Sequence, residues 1–112
     1  MRPIPAGLRG EMERDYFYQK CAVTQKPRTL VKVEWHHNLI YAGRQVNEKF
    51  CILPLSEEIH DRARDSKVKE FLNWIMTCRA TREELEQYGL TRMAETLQKK
   101  YGQYDPTKRY KI

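Results

Sequence analysis

Residues 34–38 read EWHHN, so His36 and His37 stand side by side, and His60 is the only other histidine in the chain. Histidine titrates near neutrality and is the commonest metal ligand. Two imidazoles can hold one divalent ion and leave positions open for water and substrate oxygens. A neighbouring, uncoordinated histidine can then take a proton from water, because its pKa suits neutral pH. Hydrolysis of a phosphodiester needs that division of labour: a base to activate water, and positive charge on the phosphate and leaving oxygen.

These residues must be positioned by the elements around them. TLVKVEWHH predicts a strand over 30–37, with Leu30, Val31, Val33 and Trp35 among polar residues. NLIYAGRQVNEK reads as a loop of about a dozen residues hinged at Gly43. FCILPL predicts a second strand over 50–55, with Pro54 at its end or edge because proline cannot donate to a ladder. Ser56 caps a helix from 57 to about 63, with acidic residues in its first turn. Strand, loop, strand and helix then bring a strand-end histidine towards His60 on the helix. Adjacent strand residues point to opposite faces, so His36 and His37 serve one site only if the strand ends, bends or bulges there.

The flanks are simpler. Residues 1–10, with Pro3, Pro5, Gly7 and Gly10, read as an irregular arm, and 11–20 as a short helix. Asp65 or Ser66 caps a helix whose Val68, Phe71, Leu72 and Ile75 share one face. Thr81 and Glu84 form a capping-box pattern for another helix, ended by Gly89. A last helix starts at Thr91, with Met93, Leu97 and Tyr101 on one side. The boundaries are therefore an arm to 20, a core over 30–63, a helical extension over 66–101 and a basic tail over 102–112. The fold class is α+β, in one domain of 112 residues. The tail, with Lys108, Arg109 and Lys111, reads as a solvated terminus. Trp35 and Trp74 read as core and Cys51 as a small buried hydrophobe, while Glu34 reads as a surface carboxylate, with the orienting of a histidine as the alternative.

Lys and Arg number 21 against 15 Asp and Glu, a net charge of +6. That excess suits a phosphate backbone, although solubility alone accounts for it equally well. Cys21, Cys51 and Cys78 are odd in number and contain no CxxC pair, which argues for reduced thiols rather than a disulfide framework. No apolar run reaches the length of a membrane span, and MRPIPAGLRG lacks the apolar core of a secretory signal. A soluble, cytoplasmic protein is expected.

The stretch EWHHNLIYAGRQVNEKFCILPLSEEIHDRA (34–63) resembles the HNH endonucleases, also called ββα-metal or His-Me finger nucleases. Its GRQVNE segment is similar to small HNH proteins of phages and prophages. The resemblance implies a ββα-metal core with His36 and His60 as metal ligands, His37 as general base and Asn47 as the asparagine that braces the loop and the base. It implies DNA as substrate and Mg²⁺ or Mn²⁺ as the ion, whereas imidazole ligands keep Zn²⁺ or Ni²⁺ in play. By charge and position, Arg44 and Lys49 are candidate phosphate contacts.

The chain departs from the family in three places. The four positions of a structural zinc in many members fall on Cys21, Thr24, Ser56 and Ile59, so no structural zinc is expected. The position one turn after the helix histidine, a further ligand in some members, is Arg64. Counting back from His60 at the commoner spacing reaches Cys51 rather than Asn47. The competing class is a nucleic-acid-binding module on the same fold without useful catalysis. Either reading allows a protein partner that recruits the chain to DNA.

Overall fold

A computed structural model describes residues 3–112. Four strands, β1 (Val33–His37), β2 (Ile40–Tyr41), β3 (Arg44–Gln45) and β4 (Ile52–Ser56), lie among five helices. The helices are α1 (Ala6–Arg14), α2 (Glu57–Asp61), α3 (Ser66–Arg79), α4 (Arg82–Gln87) and α5 (Thr91–Tyr101). The architecture is α+β, with two small antiparallel sheets, β1–β4 and β2–β3.

The β1–β4 ladder runs from Val33 opposite Ser56 to His37 opposite Ile52. All five residues of β4 are buried, the first four apolar and the last, Ser56, the cap of α2. Pro54 sits mid-strand opposite Trp35, in a sheet of only two strands, so it meets the edge rule; its carbonyl accepts from the Ala22 N–H at 2.8 Å. β1 is shorter than the predicted 30–37. The N–H groups of Leu30 and Val31 turn back onto the Pro27 carbonyl, which leaves Leu30 exposed and outside the ladder.

The predicted loop contains a hairpin of its own. Ala42 and Gly43 both have positive φ, the geometry of a tight primed turn, and join β2 to β3. Val46 N–H donates to the Leu39 carbonyl, and both side chains are buried, so the hairpin's base is tied to the core.

The caps read in the sequence form as hydrogen bonds. Ser56 accepts from Ile59 N–H, Asp65 from Lys67 and Val68 N–H, and Thr81 and Glu84 make a reciprocal capping box. α3 buries Val68, Phe71, Leu72 and Ile75, together with Trp74, Met76 and Thr77. α2 ends at Asp61, two residues earlier than predicted.

Two segments differ from their sequence reading. The arm is helical from Ala6, despite Gly7 and Gly10, because Met12 is wholly buried and Gln19 Nε2 bonds the Glu13 carbonyl near the helix end. A 3-10 turn over Tyr16–Gln19 follows and buries Phe17 and Tyr18. The tail is docked rather than solvated. Tyr104 OH donates to the Ala22 carbonyl at 2.6 Å, Tyr110 N–H donates to the Val23 carbonyl at 2.8 Å, and the two rings stack. The charged side chains of Lys108, Arg109 and Lys111 stay exposed.

Among the described residues, no helix is long and apolar enough to cross a membrane. The three cysteines are free, with Cys21 and Cys51 buried.

Candidate active site

The ladder carries both adjacent histidines without a bulge, His36 opposite Leu53 and His37 opposite Ile52, and β1 ends at His37. α2 follows β4 directly and lies against both strands, which brings His60 to β1. The His36 and His60 rings meet edge to face, their centres 5.2 Å apart. Two imidazoles on one ion, at bonds of about 2.0–2.1 Å and an angle of about 110°, have ring centres roughly 5 Å apart. The observed separation fits a shared ion.

Glu34 completes the pair. Lys32, Glu34 and His36 recur at every second residue and share one face of the chain. His60 Nδ1–H donates to Glu34 Oε2 at 2.7 Å, and Lys32 Nζ reaches the other carboxylate oxygen at 3.4 Å. A carboxylate on one ring nitrogen fixes the tautomer and leaves the other lone pair, here Nε2, for a metal. Glu34 therefore takes the alternative of its two readings, orienting a histidine, His60, rather than standing as a plain surface carboxylate. The signal available in the sequence was its i, i+2 spacing from His36. Among the described residues no three His, Cys, Asp or Glu side chains converge on one point. The protein therefore offers two ring nitrogens, and an ion held there would keep several positions for water and substrate.

Burial, then the proximity of His60 and His37, lowers the His36 pKa to about 4, so the ring is neutral at physiological pH. Its ordinary value is about 6.5, so as pH falls below that point the unfolded chain takes the proton first. The metal-free protein is thus expected to be fully stable on this account above pH 6.5 and to lose stability progressively down to about pH 4. The ceiling is about 3 kcal/mol, reduced by solvent screening. Urea unfolding at a series of pH values checks this, and His36→Gln should flatten the dependence in that window.

His37 has different surroundings. Its Nε2 lies 2.6 Å from Asn47 Oδ1, while Asn47 Nδ2 donates to the Pro3 carbonyl at 3.0 Å. The Pro3 carbonyl sets the amide's orientation, so an oxygen faces His37 and Nε2 must carry the proton. The lone pair is then on Nδ1, which is buried and has no hydrogen-bond partner among the described residues. Cys51, the alternative to Asn47 by spacing, turns its thiol to the Val46 and Glu48 carbonyls, and burial pushes that thiol up to about 12.

Two clefts flank the histidines. One, of about 360 Å³, is lined by His37, His60, Glu34 and Trp35, with Arg9 and Arg28. The other, of about 440 Å³, is lined by His36, His37 and Asn38, with Arg64 and Lys69. His37 belongs to both. Neither cleft includes Arg44 or Lys49. Arg44 is exposed on β3, while Lys49 Nζ pairs with Asp15 Oδ2 at 2.9 Å. Trp35 is half-buried rather than core; its Nε1–H donates to the Tyr18 carbonyl, and the Arg9 and Arg28 guanidiniums lie over its ring at 5.7 and 5.3 Å.

Replacing Glu34 with glutamine removes the charge that holds His60 Nδ1–H. Metal affinity is expected to fall about 10–100-fold. Calorimetric titration with Mn²⁺ or Zn²⁺ reads this directly, and the circular dichroism spectrum should be unchanged.

No protein-family model matches the chain, and no curated protein or solved structure matches it either.

Proposed function

We propose that the chain is a metal-dependent endonuclease that hydrolyses DNA phosphodiester bonds, with β1, β4 and α2 as a ββα-metal core. The observation that carries this reading is one juxtaposition. His36 and His60 stand at the separation of two ligands on one ion, and His37, next to them in sequence, keeps an unpartnered Nδ1.

His36 and His60 would hold the ion, with Glu34 orienting His60. Mg²⁺ or Mn²⁺ follows from the family resemblance, and Zn²⁺ or Ni²⁺ from the imidazole donors. When bound, the ion supplies electrostatic stabilisation of the phosphate and leaving oxygen. His37 Nδ1 takes a proton from the attacking water, and Asn47 holds Nε2–H so that this lone pair stays available. Asn47 also ties the loop to the amino-terminal segment through Pro3.

A second reading, a binding module without useful catalysis, draws on the burial of His37 Nδ1, which a water must reach before it can react. A supercoiled-plasmid assay with Mg²⁺, Mn²⁺, Zn²⁺, Ni²⁺ or EDTA separates the two. Open-circle or linear product in at least one metal, and none in EDTA, supports the endonuclease. Folded, metal-loaded protein that binds the plasmid and leaves it intact supports the module. A protein partner that delivers the chain to DNA, in a reducing cytoplasm, belongs to either reading.

A further inference from the structure

Cations without carboxylate partners line both clefts beside the histidines. In the first, Arg9 projects from α1 and pairs with no carboxylate among the described residues; its guanidinium is held over Trp35. Arg28 lies over the same ring and is also bonded to Glu13 and Gln19. The two carboxylates of this cleft are engaged, Glu13 by Arg28 and Glu34 by His60 and Lys32. In the second cleft, Arg64 and Lys69 are exposed and pair with no carboxylate among the described residues, and no Asp or Glu lines it. Asn38 and Asn73 of its wall are bonded to each other.

Unpaired cations are ordinary on a solvated surface. Here they line two depressions that share His37, one of them also bordered by His60 and the other by His36. A cation fixed over an aromatic face is pre-oriented, so less side-chain freedom is given up when it meets an anion. The positive lining continues beyond Arg28, which also borders a depression containing Lys20 and Arg109.

We propose that the two clefts form one groove that binds a nucleic-acid strand across the histidines, with Arg9 holding phosphate on one side and Arg64 and Lys69 on the other. The groove would then place a phosphodiester over the His36–His60 pair, and in that respect it rests on the endonuclease reading. It also replaces Arg44 and Lys49, chosen on charge and position in the sequence, with cations that border the site. Backbone contacts of this kind position a strand without reading its sequence.

The test is fluorescence anisotropy with labelled single-stranded and duplex oligonucleotides in EDTA over a series of salt concentrations. Removing one cation that touches a phosphate lowers the slope of log affinity against log salt by about one. Arg9→Gln is expected to reduce the slope by about one, and the Arg64→Gln, Lys69→Gln pair by about two. Combining all three should add the effects. Arg92→Gln with Lys99→Gln, on the exposed face of α5, is the charge control and should leave the slope unchanged. All these side chains are exposed, so the variants should keep the wild-type melting profile.

Three results would overturn the groove: an effect confined to one cleft, an equal effect from the α5 control, or a poly-glutamate peptide bound as tightly and weakened by the same substitutions. The last would identify an acidic-protein surface. Because binding is read without cleavage, failure to nick DNA overturns the endonuclease and leaves the groove intact. Nicking that is indifferent to Arg9, Arg64 and Lys69 does the reverse.

Discussion

His37→Ala is expected to lower metal-dependent nicking by a factor of about 10²–10⁴, the usual contribution of a positioned general base. The proposed donors to the ion, His36 and His60, remain in this variant, and Glu34 still orients His60. Metal affinity should therefore stay near the wild-type value while turnover falls. His60→Ala is expected to differ in kind: it removes a proposed ligand, so affinity and turnover should fall together. His37 is only 7% exposed, and its removal leaves Asn47 Oδ1 without its partner, so some stability is lost as well. Activity is accordingly compared per folded molecule, with circular dichroism and calorimetry on the same samples. A His37→Ala protein that nicks at the wild-type rate would rule out His37 as the base.

The largest effect on stability is expected at Trp74. Its side chain is 1% exposed, and its ring lies within 5.1–5.7 Å, centre to centre, of Phe71, Tyr101, Tyr104 and Tyr110. Its Nε1–H donates to the Gly102 carbonyl at 2.8 Å. One side chain thus joins α3, the end of α5 and the tail, and Tyr104 carries the connection to Ala22 beside β4. Trp74→Ala should cost about 3–5 kcal/mol, from the burial it forfeits and the cavity left behind. Domains of this size commonly have only about 5–15 kcal/mol in total. Urea unfolding is expected to show a much lower midpoint. Trp74→Phe, which keeps most of the packing and forgoes the hydrogen bond, should fall between the two. Equal stability of Trp74→Ala and wild type would show that the tail and α5 are not integral to the core.

The elements that were legible in the sequence are those specified by local rules. Ser56, Asp65 and the Thr81–Glu84 pair cap their helices through bonds to residues two or three positions away, a range that spacing alone reveals. Val68, Phe71, Leu72 and Ile75 mark their buried face by the same local period. The elements that were missed depend on distant partners. α1 forms across two glycines because Met12 has a core to enter. The tail folds back because Tyr104 and Tyr110 find the Ala22 and Val23 carbonyls some eighty residues earlier in the chain. The β2–β3 hairpin lacks an Asn-Gly signature; Ala42 takes a positive φ that sequence reading does not assign to alanine.

The site divides along the same line. The three histidines stood out by type, His60 was placed by the strand–loop–strand–helix order, and Asn47 followed from the resemblance. The orienting role of Glu34 ranked below a surface carboxylate, because it needs both the two-residue period of β1 and the approach of α2. The cations beside the site were illegible for a related reason. Arg9, Arg28, Arg64 and Lys69 come from three separate stretches of chain, and only the fold brings them to the histidines.

The most direct test of the central claim uses the fact that the chain has three histidines. Long-range ¹H–¹⁵N correlation of their imidazoles, before and after Zn²⁺, reports the protonation and coordination of each ring nitrogen separately. Coordination shifts are expected at one nitrogen of His36 and at Nε2 of His60. His37 should stay uncoordinated, with its proton on Nε2 and its lone pair on Nδ1. Coordination at His37, or no shift at His36 and His60 under saturating metal, would contradict the assignment of ligands and base.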